Sequence, residues 1–326
     1  MDTKTQANAN TDNTQTIKQP KKQGRTLVSI LYVVLWAVLF TLKWCVPDDW
    51  GSLGFDVFFC VIAVIGAYEF LRAMGGTSYI QRAVTTAFCC IVVVLFVLTK
   101  ELINQGYLTM ICTLCVYEVI LACISVFDHR NSPVKGLATC SLCMLYCGLL
   151  PTCLAAINHL AVNSMAAMLV LFLVAVLTDT FAYLIGTLLK RFIPLKLAPQ
   201  LSPNKTVIGA VGGLVGGIIG ALVAFVGIYY LGGLNGEVMG TTYAYNSVYL
   251  TFSSEAISPI LVFALVGLVG AVLSIIGDLF ESAIKRECGI KDMSHLLGGH
   301  GGVLDRVDGL LACGLVVLLA FGTIIS

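Results

Sequence analysis

Long apolar segments separated by short polar ones follow one another through the chain after residue 26. A helix needs about 20 predominantly apolar residues to cross the hydrocarbon core of a bilayer, and nine segments come close to that length. Their approximate limits are 27–46, 53–71, 83–99, 107–127, 136–158, 165–188, 207–232, 257–280 and 309–325. The pattern therefore predicts an all-α, polytopic integral membrane protein with about nine transmembrane helices.

The composition indicates the same class of protein. Hydrophobic residues make up 58% of the chain and charged residues only 11%, whereas soluble domains carry about 25% charged residues. The net charge of +1 and the lack of a basic tract with interleaved aromatics give no indication of a nucleic-acid partner. Nearly all of the 13 cysteines fall inside apolar segments, where cysteine packs as a small hydrophobe.

The distribution of polar residues suggests three regions. Residues 1–25 form a polar segment that cannot bury enough apolar surface to fold alone, and we expect a disordered cytoplasmic tail there. Residues 26–164 contain five of the predicted helices. Residues 165–326 contain the other four, together with the loops that carry most of the candidate chemistry.

Lysine and arginine positions predict the orientation, because basic residues concentrate on the cytoplasmic side of a membrane protein. With the N-terminus in the cytoplasm, all but two of the 19 basic residues lie on that side, and the exceptions are Lys43 and Lys100. The opposite topology would invert this ratio. We therefore expect a multi-pass protein of the cell (plasma) membrane, with its N-terminus and its reactive loops in the cytoplasm.

One polar block, residues 277–309, holds ten charged residues between the last two apolar segments. Asp278, Ser282 and Lys285 are spaced to lie on one face of a helix. Mg²⁺ prefers carboxylate oxygens and takes only one or two from the protein, so Asp278 and Asp305 are the candidate pair for a metal. The alternative is a solvated connection between two helices, which would not require this combination of acids, bases and clustered glycines.

Four glycines surround one histidine within this block: Gly298, Gly299, Gly301 and Gly302 flank His300. Glycines allow successive backbone N–H groups to turn toward an anion in a concave nest. The sequence therefore predicts an anion-binding turn beside the acidic pair.

The motifs of this block resemble those of a known family. They read Ser282-x-Ile284-Lys285-Arg286, then Lys291-Asp292, then His300-Gly301-Gly302-Val303-x-Asp305-Arg306-Val307-Asp308. This pattern is similar to the signature of the phosphatidate cytidylyltransferases, also called CDP-diacylglycerol synthases. The resemblance implies that CTP and phosphatidic acid react to give CDP-diacylglycerol and pyrophosphate, with Mg²⁺ held at Asp278 and Asp305. It also implies a homodimer and leaves room for a second, monovalent or divalent, cation.

Two other segments match the same family. One contains Asp179 in the sixth predicted helix, which would require a polar pocket reaching into the membrane. The other is Ser202-Pro203-Asn204-Lys205-Thr206, where serine followed by proline predicts a helix start and a site for phosphate. The chain departs from the family pattern at Thr187 and at Ile208, where a basic residue and a carboxylate are common.

These patterns define the candidate site. The residues expected to act on the reacting phosphates are Asp278, Asp305, Lys285, Arg286, Lys291, Arg306 and Asp308. The residues expected to bind substrate are Ser202, Lys205, Thr206, Ser282, Asp292, His300, Gly301, Gly302 and Asp179. The expected partners are CTP, phosphatidic acid and membrane lipids.

Alternatives remain open for the function and for two buried acids. A cation-coupled transporter would also need acids within the membrane, but transporters usually place them near the midplane of an internal repeat, and no repeat is evident. Glu69 either pairs with Arg72 one turn away or belongs to the site. Glu118 has no base nearby in sequence, so its partner, if it has one, lies on another helix.

Overall fold

The computed structural model describes residues 22–46, 49–103, 106–130, 132, 134–160, 163–234, 259–294, 296–297 and 301–324. The predicted disordered tail falls largely outside these residues, as does His300. Helix α1 begins at Lys22, within the segment predicted to be the tail.

Helices account for nearly all of the described chain, as expected where lipid leaves every backbone polar group to be satisfied within the segment. The first four are α1 (Lys22–Cys45), α2 (Asp49–Met74), α3 (Tyr79–Ile103) and α4 (Gly106–Phe127). A fifth span runs without a break through α5 (Val134–Cys143), a π-helical segment (Met144–Leu149) and α6 (Leu150–Asn158). The last four are α7 (Ser164–Leu189), α8 (Val207–Leu234), α9 (Pro259–Glu287) and α10 (Leu304–Leu319), which continues as a π-helical segment (Ala320–Ile324).

Each of the nine predicted spans corresponds to one of these helices, with α5, the π-helical segment and α6 counted as one continuous span. Seven are long and apolar enough to cross a membrane, and a shorter apolar helix covers Ile30–Cys45. The all-α, polytopic fold is therefore confirmed.

The predicted helix start at Ser202 is wrong. Ser202–Thr206 is a strand, β2, which pairs antiparallel with β1 (Lys196–Ala198), and α8 begins only at Val207. The residue before a proline is disfavoured in helical conformation, which suits Ser202 to the strand. The helix cap is Thr206, whose hydroxyl oxygen accepts the N–H of Gly209 at 3.1 Å.

Close packing of α7, α8 and α9 depends on glycines, as the small-residue pattern of α8 indicates. A Cβ at Gly217 would lie 2.7 Å from the carbonyl oxygen of Gly267 on α9, and a Cβ at Gly220 would lie 2.6 Å from that of Leu173 on α7. Larger residues would therefore separate these helices, which together form the walls of the candidate site.

Lys43 and Lys100, the two basic residues predicted to lie on the side opposite the reactive loops, belong to one partly buried polar network. Lys43 donates to Asn158 Oδ1 at 2.7 Å, and Lys100 Nζ lies 2.6 Å from His159 Nδ1. The other ring nitrogen of His159 lies 2.9 Å from both carboxylate oxygens of Asp56. The network ties α1, α2, α3 and α6 together.

Candidate active site

A cavity of about 630 Å³ lies between α7, the β1–β2 hairpin, α8 and α9. This volume is within the usual range for ligand pockets. Five charged side chains line it, and we call them the cavity cluster: Asp179, Lys190, Lys196, Lys205 and Asp278. Ser202 and Thr206 add hydroxyl groups to the same wall. The sequence prediction of a polar pocket at Asp179 is therefore matched by a cavity beside that residue.

Lys205 and Asp278 form an ion pair across this cavity, between β2 and α9. Their side chains are 27% and 34% exposed, so both can exchange the partner for a ligand or water. The strand aims Lys205 into the cavity, and the cap at Thr206 fixes the junction with α8. Lys205, a residue expected to bind substrate, therefore lies beside Asp278, the first acid of the polar block.

A second group of charges is buried where α2, α9 and α10 meet, and we call Glu69, Glu281, Lys285 and Asp305 the cap cluster. Glu69 is fully buried. Its carboxylate accepts the backbone N–H groups of Val303 and Leu304 at 3.0 and 2.9 Å, and the hydroxyl of Ser294. Glu69 therefore caps the N-terminus of α10, where a helix leaves N–H groups unsatisfied.

Asp305 uses both carboxylate oxygens within the protein. Lys285 donates to Oδ1 at 2.7 Å, while the N–H groups of Gly302 and Met293 donate to Oδ2 at 2.7 and 3.1 Å. Burial opposes ionisation, but the hydrogen bonds from Lys285 and Gly302 outweigh it and hold the pKa of Asp305 below its usual value. Asp305 is consequently ionised at neutral pH.

Lys285 also lies 3.5 Å from Glu281, one turn earlier on α9. Glu281 is fully buried, and the Lys285 ammonium lies between its carboxyl group and that of Asp305. The lysine of the family signature is thus held inside the fold by Asp305 and Glu281.

The two glycines of the predicted anion nest lie against these carboxylates. Gly301 has a φ of +81°, and a Cβ there would lie 2.6 Å from Asp305 Oδ2. A Cβ at Gly302 would lie 2.5 Å from Glu69 Oε2. The N–H of Gly302 donates to Asp305, and those of Val303 and Leu304 donate to Glu69, so in this structure these donors are taken by the protein's own carboxylates. That Gly301 and Gly302 also contact phosphate stays a prediction.

The other predicted site residues divide between the loop and the protein interior. Arg286 donates to the carbonyl oxygens of Leu201 and Ile290, each at 3.0 Å, and so joins the β1–β2 turn to the end of α9. Lys291 and Arg306 are exposed, Asp292 is half-buried, and Ser282 and Asp308 are buried.

Several residues of this region were missed in the sequence or left undecided. Glu281 precedes Lys285 by four positions, a spacing that indicates an ion pair on a helix. In the sequence, Lys190 and Lys196 stand out only as basic residues of a loop. For Glu69, the described residues show its carboxylate hydrogen-bonded to Ser294, Val303 and Leu304 rather than paired with Arg72. Glu118 accepts a hydrogen bond from Ser141 on α5 at 2.8 Å, so its partner does lie on another helix.

The donors lining the cavity fit a Mg²⁺ ion. Asp179 and Asp278 present carboxylates to one space, and Mg²⁺ usually completes its octahedron with water and substrate phosphate. Within the described residues no three His, Cys, Asp or Glu side chains are grouped so as to hold a metal ion by themselves. Asp305 would have to release Lys285 or a backbone N–H group to bind the same ion.

The fold is that of a polytopic membrane protein, and lysines and aspartates line the cavity between its helices. The chain belongs to the cytidylyltransferase family, whose sequence profile matches residues 23–324. It is 31% identical over 300 residues to a phosphatidate cytidylyltransferase of Brucella abortus, covering 91% of this chain and 93% of that protein. Proteins of the same name from Thermotoga maritima and Haemophilus influenzae are each 32% identical, over 143 and 155 residues, which is 44% and 48% of this chain and 44% and 45% of theirs.

Proposed function

We propose that this protein is a phosphatidate cytidylyltransferase, which transfers CMP from CTP to phosphatidic acid in phospholipid biosynthesis. The observation that carries the proposal is the Lys205–Asp278 pair on the wall of a cavity between membrane helices, in a chain of the cytidylyltransferase family. Phosphatidic acid keeps its acyl chains in lipid while CTP arrives from water, and a cavity at the inner ends of α7 and α9 is accessible to both.

In the reaction, a phosphate oxygen of phosphatidic acid attacks the α-phosphorus of CTP. A new P–O–P bond forms, the bond from the α-phosphorus to the β-phosphate oxygen breaks, and pyrophosphate leaves with that electron pair. The attacking phosphate is already ionised near neutral pH, so no strong general base is required. Such transfers depend chiefly on positioning and on neutralisation of charge.

The lysines of the cavity cluster supply that neutralisation. Lys205 exchanges Asp278 for a phosphate oxygen of the substrate, and Lys190 and Lys196 extend the positive surface toward the loop. The hydroxyl groups of Ser202 and Thr206 orient the phosphates by hydrogen bonds. The exposed Lys291 and Arg306 serve the outer end of the triphosphate.

Asp278, with Asp179 beside it, would hold Mg²⁺, and Asp305 is the second ligand that the family motif suggests. When bound, the ion neutralises triphosphate oxygens and stabilises the leaving pyrophosphate. The cap cluster keeps the 301–304 turn and Lys285 in fixed positions at the edge of this site.

The orientation and assembly belong to the same proposal. The distribution of basic residues supports a cavity on the cytoplasmic side of a bacterial inner membrane, where CTP and Mg²⁺ are available, and the family resemblance suggests a homodimer.

The test is the conversion of labelled CTP and phosphatidic acid to CDP-diacylglycerol by the purified protein in detergent, with Mg²⁺ or with EDTA. We expect metal-dependent product from the wild type and almost none from Asp278→Asn or Asp305→Asn. Glu287→Gln is the matched control, because Glu287 is an exposed acid on the same helix, and it should retain full activity. A folded wild type that makes no product across a range of Mg²⁺ and lipid concentrations would contradict the proposal and direct the next assay to cation-coupled transport.

A further inference from the structure

A small pocket of about 190 Å³ lies between α2 and α3, away from the catalytic cavity. Its lining residues are Tyr68, Leu71, Arg72, Arg82 and Thr86, none of which lines the larger cavity. Arg72 is in the last turn of α2 and Arg82 in the first turn of α3. The pocket is at the same membrane face as the catalytic loops, since Glu69 on α2 caps α10.

The two arginines are placed to bind an anion. Both are exposed. The Nε of Arg82 donates to the buried Thr77 hydroxyl at 2.8 Å and so orients the side chain. This bond does not use the two terminal nitrogens of the guanidinium. Glu69, the acid nearest to Arg72 in sequence, is occupied by α10. Guanidinium groups bind phosphate through paired hydrogen bonds.

The surface next to the arginines is apolar and continues into the membrane. Val57, Val61, Val64 and Tyr68 form an exposed stripe along α2. A second cavity of about 550 Å³ follows this stripe between α2 and α3, from Ile65 and Cys90 to Leu53 and Leu98. Val64 is eight residues from Arg72, about 12 Å along a helix, which is within reach of an acyl chain whose head group lies at the arginines.

We propose that this α2–α3 pocket binds an anionic phospholipid, with the phosphate between Arg72 and Arg82 and an acyl chain along the α2 stripe. Basic pockets between transmembrane helices are recognised sites for such head groups. A second copy of the chain is a less suitable occupant of this pocket. A two-fold axis along the membrane normal would bring the arginines of both copies to the same depth, so that like charges would face each other. The site is separate from the catalytic cavity and does not depend on the proposed function.

The test uses phosphatidylglycerol with a photoreactive group in its acyl chain, as a minor component of phosphatidylcholine vesicles containing the full-length protein. Cross-links are mapped by mass spectrometry. We expect labelling of the α2 stripe, and an apparent affinity about thirtyfold lower in Arg72→Gln/Arg82→Gln. The matched control is Arg130→Gln/Lys135→Gln, which removes two exposed basic residues from the same membrane face and should label as the wild type does. Thermal unfolding verifies that both variants are folded.

Further arms identify the ligand. Unlabelled phosphatidylglycerol should suppress the labelling, whereas excess phosphatidylcholine or soluble glycerol 3-phosphate should not. The lysine variant Arg72→Lys/Arg82→Lys keeps the charge without the paired geometry and should fall between wild type and the glutamine variant. Equal labelling of the two glutamine double variants would overturn the proposal. Suppression by glycerol 3-phosphate would also overturn it in favour of a free phosphate, and a change of oligomeric state with labelling retained would indicate an interface between copies.

Discussion

The cavity cluster and the cap cluster are built from the same residue types, lysine with aspartate or glutamate, yet they are prepared for different tasks. In the cavity, Lys205 and Asp278 are about one-third exposed and form an ion pair that solvent can reach. In the cap, the Lys285 and Asp305 side chains are only 12% and 6% exposed, and both Asp305 oxygens accept hydrogen bonds from the protein. A charged side chain can exchange its partner for substrate only where solvent can replace that partner.

Neutralising one lysine in each cluster should separate the two roles most strongly. Lys285→Gln leaves Asp305 buried without its counter-charge, which typically costs about 3–5 kcal/mol. We expect a much lower midpoint of thermal unfolding in detergent. Lys205→Gln should unfold near the wild-type temperature but lose about a hundredfold or more in turnover, as when one electrostatic contact to a transition state is removed.

The same variants can also contradict this separation of roles. If Lys285→Gln unfolds like the wild type and loses only turnover, Lys285 contacts substrate and the distinction between the clusters fails. Lys291→Gln is a suitable control, since Lys291 is exposed in the same polar block and its substitution should not change the unfolding midpoint.

Gly302 tests how closely the cap cluster approaches the backbone. In Gly302→Ala the new methyl group would lie 2.5 Å from Glu69 Oε2, so the carboxylate must move and the N–H groups of α10 lose their acceptor. Overpacking of this kind costs about 1–3 kcal/mol. Gly227→Ala is the matched control, because nothing lies within 4 Å of a Cβ at that position in α8. Equal unfolding midpoints for the two variants would contradict the tight contact.

Much of this architecture could be predicted from the sequence because it depends on local pattern. The nine helices follow from the length of the apolar segments, and the pocket at Asp179 follows from the cost of a carboxylate in lipid. The β1–β2 hairpin was missed because Ser202-Pro203 fits both a helix start and a strand, and only the pairing of Ala198 with Ser202 decides between them.

The role of Glu69 could not be predicted, because its carboxylate accepts hydrogen bonds from residues more than 200 positions later in the chain. Sequence spacing offered only Arg72 as a partner. The backbone N–H groups of Val303 and Leu304 carry no signal in the sequence, because every residue except proline has such a donor. The Glu281–Lys285 pair, by contrast, is visible in the spacing alone.

Glu69→Gln tests this long-range contact directly. The amide retains one acceptor, but its NH₂ group would face a backbone N–H of Val303 or Leu304, which leaves a buried donor unsatisfied at a cost of about 1–3 kcal/mol. We expect faster hydrogen exchange at residues 301–304 and lower turnover, with the exchange of the α8 helix unchanged. Unchanged exchange at 301–304 would show that Glu69 is not the cap of α10.

The smallest expected effect is on the cavity side, at the junction of β2 and α8. Thr206→Ala removes the hydroxyl that accepts the Gly209 N–H and should lower stability by about 1 kcal/mol, as is usual for an N-cap residue. Thr206→Ser keeps the hydroxyl and should restore the unfolding midpoint. If Thr206 acts only as a cap, serine also restores turnover, because the strand again holds Lys205 against Asp278. A serine variant that is stable yet slow would instead show that the threonine methyl group, which is buried with the rest of its side chain, fixes the position of Lys205 in the cavity.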